Sequence, residues 1–231
     1  MRIVNLVENT EGAAHCRSQH GLSFYIETEK HKFLMDTGAS DLLLENAKKL
    51  EIDLLQVDTV VLSHGHYDHG GGILPFAKIN QSAKIYIQSS ALGDYYSHHD
   101  ADGEPKYIGI DKGIAELSQV VMVDGDVKID DELYLFSGIG NIYPIPSTNK
   151  TLEMKTDDGY VQDDFSHEQC LVVKQHGQSI LFSGCAHHGI LNVMERYKEI
   201  FGKEPDVAVS GFHLMKKDGY SDDEVAEIID I

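Results

Sequence analysis

The sequence predicts a mixed α/β or α+β fold, and three observations carry that expectation. Short apolar, β-branched runs recur along the chain, amphipathic helical stretches fall between them, and the second half repeats the order of the first. A chain of 231 residues with 42% apolar side chains can bury a sizeable core, which suits one domain over residues 1–231.

Strands are expected over residues 3–7, 22–27 and 32–36, short and separated by polar turns. A helix follows over about 41–50, with Leu42, Leu43, Ala47 and Leu50 on one face and Ser40 as its N-cap. Residues 57–62 read as a strand, 73–79 as a short helix and 84–88 as another strand. In the second half, strands over 120–123, 133–136, 170–174 and 179–183 precede a helix over about 191–201. A strand over 207–210 and a helix over 222–229, capped by Ser221, come last. Two stretches, 89–114 and 147–165, show no clear periodicity. Long irregular segments in a compact domain are often lids or binding loops, and the first is expected to overhang the functional site. His98 and His99 fall within it, but adjacent side chains diverge in most conformations, so they are not expected to share an ion.

The formal net charge of −19 speaks against nucleic acid as a general partner, because phosphate backbones need a basic surface. A single anionic small molecule remains compatible with it, since bound cations can carry the local positive charge. No apolar run approaches the ~20 residues that span a membrane, and the first residues read as a strand and not a signal peptide. Cys16, Cys170 and Cys185 form no close-spaced pair, which argues against a disulfide framework and makes the cytoplasm the expected location.

The strand over 57–62 runs into His64-Gly65-His66-Tyr67-Asp68-His69, followed by three glycines. In extended chain, residues i and i+2 point the same way, so His64 and His66 can converge on one ion. Asp68 and His69 come after the chain turns and can reach a second. Three histidines and an aspartate crowded at the end of a buried strand are costly without a cation. Imidazole with carboxylate suits zinc, with manganese or iron(II) as alternatives, so one or two divalent ions are expected. Neither a Gly-x-Ser-x-Gly elbow nor a Gly-Lys-Ser/Thr phosphate loop competes with this centre.

His-x-His-x-Asp-His after an apolar strand resembles the metallo-β-lactamase superfamily, and Phe33-Leu34-Met35-Asp36-Thr37-Gly38 resembles its early strand ending in Asp-x-Gly. His20-Gly21-Leu22-Ser23, Gly184-Cys185-Ala186-His187 and Gly211-Phe212-His213-Leu214 narrow the resemblance to the dihydropterin-ribofuranosylaminobenzene-phosphate-synthase-like subgroup. The resemblance implies a four-layer αββα sandwich with the metal site where the two sheets open. It implies that Asp36 supports the metal histidines from behind, and that His64, His66 and His187 hold one ion while Asp68 and His69 hold its neighbour. Cys185 stands where the superfamily usually has a bridging aspartate, and either binds metal as a thiolate or packs. The usual His-x-Pro-Gly-His before this strand is missing, and Asp163 and His167 in that region are further candidates, placed behind His187. His213 and His20 are assigned to the substrate, with a metal as the alternative for His213.

Subgroup sequences continue past the last helix into another strand and a His-Cys-Thr-Gly segment. The resemblance therefore implies that this chain is truncated before the last strand and helix of the sandwich, leaving the Asp68/His69 ion short of a ligand. The implied activity is metal-dependent hydrolysis of a phosphoester, ester or lactone of a small molecule. Water activated between the ions is the nucleophile, and Asp68 orients it or takes its proton. A pterin or ribosyl-phosphate synthase or transferase is the second possibility, and a redox di-iron or non-catalytic metal-binding protein the third.

Overall fold

The computed structural model describes residues 1–12, 15–98 and 103–214, together with Gly219, Ser221, Asp222 and Val225. In chain order its strands begin with β1 (Arg2–Val7), β2 (Ser23–Glu27), β3 (Lys32–Met35), β4 (Thr59–Val61), β5 (Lys84–Gln88), β6 (Tyr95–Ser97) and β7 (Lys106–Tyr107). They continue with β8 (Val120–Val123), β9 (Val127–Lys128), β10 (Leu133–Phe136), β11 (Leu152–Thr156) and β12 (Gly159–Gln162). The last are β13 (Cys170–Gln175), β14 (Gln178–Phe182) and β15 (Val207–Val209). The helices are α1 (Leu42–Lys49), α2 (Tyr67–Gly70), α3 (Ile73–Ile79) and α4 (Ile190–Phe201). The helix expected over 222–229 lies largely outside the described residues, as does His99. Among the described residues no helix is long and apolar enough to cross a membrane.

Two sheets face each other. The first runs β1-β2-β3-β4-β5-β8, antiparallel over its first three strands and parallel from β3 onward; the second runs β15-β14-β13-β10-β9. Period-two alternation explains the layering. Phe33 and Met35 of β3, Val61 of β4 and Tyr86 of β5 point inward, onto Leu135 of β10, Leu171 and Val173 of β13 and Phe182 of β14. The residues between them, Leu34, Val60, Ile85 and Ile87, point outward against Leu42, Leu43 and Ala47 of α1 and Ile73 and Phe76 of α3. On the far side, Cys170, Val172 and Leu181 pack under Val193 and Tyr197 of α4. The result is the four-layer αββα sandwich. Ser40 serves α1 from one position early: Asp41 is the boundary residue, and the Leu42 N–H donates to Ser40 Oγ at 3.3 Å.

The two stretches without periodicity are not free loops. Residues 95–97 pair with 106–107 on one side and with 152–156 on the other, and 152–156 pair in turn with 159–162, in a third, antiparallel sheet ordered β12-β11-β6-β7. Its inner face carries a small core of Tyr95, Ile108, Leu152 and Phe165, with Tyr67 and Met154 packed on it. This sheet is stitched to the histidine loop, because the Tyr67 N–H donates to the Ile108 carbonyl at 2.8 Å and His66 bridges Gly109. His98 belongs to it as well, its Nδ1 lying 2.5 Å from Glu153 Oε2. The strands are short, and the pairing that joins the two stretches, β6 with β11, links residues far apart in sequence.

Candidate metal centre

The strand ends deliver the site. β4 stops at Val61, and the chain passes through Ser63, His64 and His66 before the single turn of α2 turns Asp68 and His69 back toward them. The glycines then bring the backbone close: a Cβ on Gly71 would meet the Ala39 carbonyl, and one on Gly72 the Thr37 carbonyl. Cys185 and His187 follow β14, and Ala186 between them adopts a left-handed backbone (φ 53°). Asp36 (φ 60°), Phe165 (φ 53°) and His213 (φ 47°) share that unusual conformation around the site, the kind of strain that persists where surrounding structure over-determines it.

Hydrogen bonds fix the tautomers. Buried Asp36 accepts the Ser63 N–H on Oδ1 (2.7 Å), and on Oδ2 both the Ser63 hydroxyl (2.7 Å) and the His69 Nδ1–H (2.6 Å). Since the Ser63 hydroxyl is spent on Asp36, it accepts the His64 Nδ1–H at 2.8 Å. Across the cleft, Asn149 Oδ1 accepts the His187 Nδ1–H at 3.0 Å while its amide donates to the His187 carbonyl at 2.7 Å. Glu168 accepts the His187 N–H at 2.8 Å, and the Phe165 ring stacks on His187 at 4.6 Å and 3°. In the neutral rings of His64 and His187, the Nε2 lone pairs are therefore left bare.

These bare nitrogens converge. His64 Nε2 and His187 Nε2 lie 3.3 Å apart in a fully buried setting. Burial, and then the surrounding imidazoles, push both rings well below the usual 6.5, so neither takes a proton to relieve the contact. Two facing lone pairs repel, whereas a cation between them is bound: nitrogens at about 2.0–2.1 Å from one tetrahedral ion stand about 3.3 Å apart. Cys185 Sγ, His64 and His187 form one group whose ligand atoms lie within 4.8 Å of one another, and Cys185, Asp68 and His69 form a second. The thiol thus belongs to both, with Sγ 3.1 Å from His69 Nε2 and Asp68 Oδ2 3.5 Å from the same nitrogen. Burial would lower His69, but Cys185, Asp36 and Asp68 outweigh it and raise its pKa well above 6.5. The donor set fits a divalent cation.

His66 is placed otherwise than strand alternation suggests. Its ring neighbours His64 (4.6 Å) and His187 (4.9 Å), yet its ligand atom groups with Asp163 and His167. His20 sits at the rim with Nε2 3.4 Å from Asp68 Oδ2, and the His213 ring lies 4.3 Å from that of His187. Sequence reasoning missed Ser63, Asn149 and Glu168. Only Glu168 left a signal, an acidic residue just before an apolar strand, where it is buried and also accepts the His188 Nδ1–H at 2.7 Å.

Comparisons with known proteins agree with this architecture. The family model described as the metallo-β-lactamase superfamily matches residues 19–213. An uncharacterised protein of Methanocaldococcus jannaschii is 30% identical over 219 residues, covering 92% of this chain and 78% of its own. The 7,8-dihydropterin-6-methyl-4-(β-D-ribofuranosyl)-aminobenzene-5′-phosphate synthase of the same organism is also 30% identical, over 221 residues, covering 87% and 73%. Among solved structures, a metal-dependent hydrolase of the β-lactamase superfamily superposes with a TM-score of 0.80 at 29% identity, covering 99% of this chain and 81% of that one. The chain belongs to the metallo-β-lactamase superfamily.

Proposed function

We propose that this protein is a metal-dependent hydrolase that opens a phosphoester, ester or lactone bond of a small molecule. The observation that carries this reading is the facing pair of bare, buried imidazole nitrogens on His64 and His187, 3.3 Å apart beside a thiol and a carboxylate. His64, His187 and Cys185 would hold one divalent ion, and Asp68, His69 and Cys185 its neighbour. When bound, such ions lower the pKa of a coordinated water toward about 7 and polarise the bond to be cleaved.

The chain's own groups supply the rest. Burial would raise Asp68, but the His69, His66 and His20 imidazoles outweigh it and keep the carboxyl below its usual range, so it is ionised at neutral pH. Asp68 Oδ2 can thus orient the attacking water and accept its proton. His20, exposed at the rim and 3.4 Å from Asp68, is placed to donate to a substrate oxygen. His213, partly buried against His187, faces the same space. Zinc is the first choice of metal, because a thiol and several imidazoles form a borderline-to-soft donor set.

The test is turnover of bis-p-nitrophenyl phosphate, p-nitrophenyl phosphate and a simple lactone by protein reconstituted with Zn²⁺, Mn²⁺ or Fe²⁺. Hydrolysis should vanish with chelator, return with metal, and fall below detection in His64→Ala and His187→Ala. The 30% identity to a dihydropterin-ribofuranosyl-aminobenzene-phosphate synthase favours one second reading, a synthase or transferase on a ribosyl phosphate. A metal-loaded protein that hydrolyses none of these esters but binds a ribosyl phosphate tightly would replace the first reading with the second.

A further inference from the structure

His167 stands among potential ligands, yet its partners leave it no lone pair for a cation. Nδ1 accepts the Gly65 N–H at 2.9 Å, so the proton of the neutral ring sits on Nε2, which donates to Asp163 Oδ2 at 3.1 Å. Asp163 is in a different position. Its Oδ1 accepts the Phe165 N–H at 2.8 Å, and Oδ2, occupied by His167 along one lone pair, keeps another. That oxygen lies 3.7 Å from His66 Nε2, too far for a hydrogen bond. Among the described residues, nothing hydrogen-bonds the buried His66 Nε2.

A buried nitrogen without a partner and a buried carboxylate oxygen, each held by independent supports, leave a gap of cation size. Donors at about 2.0–2.2 Å from a common tetrahedral ion stand about 3.3–3.6 Å apart, and the observed spacing is within a few tenths of that range. We propose that Asp163 is a metal ligand, its Oδ2 joining His66 Nε2 on a divalent cation, with His167 as the positioning residue that aims it. The inference rests on reading the centre as a metal site. It adds a second carboxylate, a hard donor, beside His66, where the His69 end has Asp68 together with the softer thiol of Cys185.

Zinc affinity, read by competition with a chromophoric chelator, and the absorption spectrum of the Co²⁺-loaded protein test this. Asp163→Asn should bind one equivalent of Zn²⁺ about 100-fold more weakly or worse, above the usual effect of losing a mere supporting hydrogen bond. His167→Gln keeps the ligand and loses its aim; it should weaken that equivalent about tenfold and shift the Co²⁺ d–d bands without removing it. Asp163→Cys should add thiolate-to-cobalt charge-transfer absorption beyond that of the unmutated protein, a signal that arises only if position 163 touches the metal. Should Asp163→Asn fail to fold, this band decides alone. Unchanged zinc affinity in Asp163→Asn, or no added band in Asp163→Cys, overturns the proposal and leaves Asp163 as a hydrogen-bond partner of His167. An unmutated protein that takes up no metal is a separate outcome, and overturns the hydrolase reading itself.

Discussion

At the scale of single residues, Ser63 governs the chemistry of its neighbours without facing the cleft. Its hydroxyl donates to Asp36 and accepts from His64, so the position of one proton decides which nitrogen of His64 is bare. Ser63→Ala removes that acceptor and leaves a buried Nδ1–H unpaired, at a cost of about 1–3 kcal/mol. Zinc affinity should fall about 10–100-fold, as it does when the outer partner of a liganding histidine is lost. A chelator competition titration checks the affinity and a melting curve of the metal-free protein checks the stability. Gly184 reaches the same hydroxyl from the other sheet. A Cβ there would lie 2.6 Å from Ser63 Cβ and collide with its Oγ, so Gly184→Ala should turn Ser63 away and reproduce the affinity loss. A normal zinc affinity in Gly184→Ala would show that Ser63 is not what holds His64.

At the scale of elements, the third sheet decides how firmly the far side of the centre is held. Leu152 of β11 packs with Phe165, the ring that lies flat on His187 and whose N–H holds Asp163, and with Tyr95, whose ring is 4.1 Å from that of His167. Leu152→Ala should cost about 2–5 kcal/mol and weaken metal binding along with stability. Val193→Ala, in the core under α4, should lower the melting temperature while sparing the metal. Equal effects of the two on metal affinity would mean that the sheet only adds stability. None of this sheet could be read from the sequence, and the reason is physical. β6 and β7 are three and two residues long, the β6–β11 pairing joins residues some 55 positions apart, and the locally paired β11 and β12 are largely exposed and carry no buried alternation. By contrast, β5, β8, β10 and α3 fall on the residues expected, because each is a short run rich in β-branched or apolar residues or has helical spacing that local sequence marks. The centre divides in the same way. Six consecutive residues announced His64, His66, Asp68 and His69, while Asn149 and Ser63 act through hydrogen bonds that no spacing encodes.

At the scale of the whole molecule, the two main sheets are pinned at the end opposite the histidines. His31, in the turn between β2 and β3, places Nδ1 2.9 Å from Asp58 Oδ1 beside β4 and Nε2 2.5 Å from Asp130 Oδ2 in the turn before β10. Next to it the Thr28 hydroxyl donates to Glu132 Oε2 at 2.6 Å, again from the first sheet to the second. Burial would lower the pKa of His31, but hydrogen bonds to Asp130 and Asp58 outweigh it and raise it above 6.5, while Asp130 is lowered by its bond to His31 despite its own desolvation. A histidine with a raised folded pKa contributes stability that is complete below its unfolded value and is lost as pH rises through the folded one. An aspartate with a lowered pKa contributes above its unfolded value and loses that as pH falls. The clamp is therefore fully charged between about pH 4 and 6.5 and fades as pH rises above that. Its groups are partly exposed, so solvent screening limits it to about 1 kcal/mol, or about 2–4 °C in melting temperature for a chain of this size. The centre's own histidines also titrate, so the comparison must be with His31→Gln in the presence of chelator. The unmutated protein should lose its melting advantage over the variant as pH rises above about 6.5, and an advantage that stays constant through that rise would mean that His31 joins the sheets without its charge.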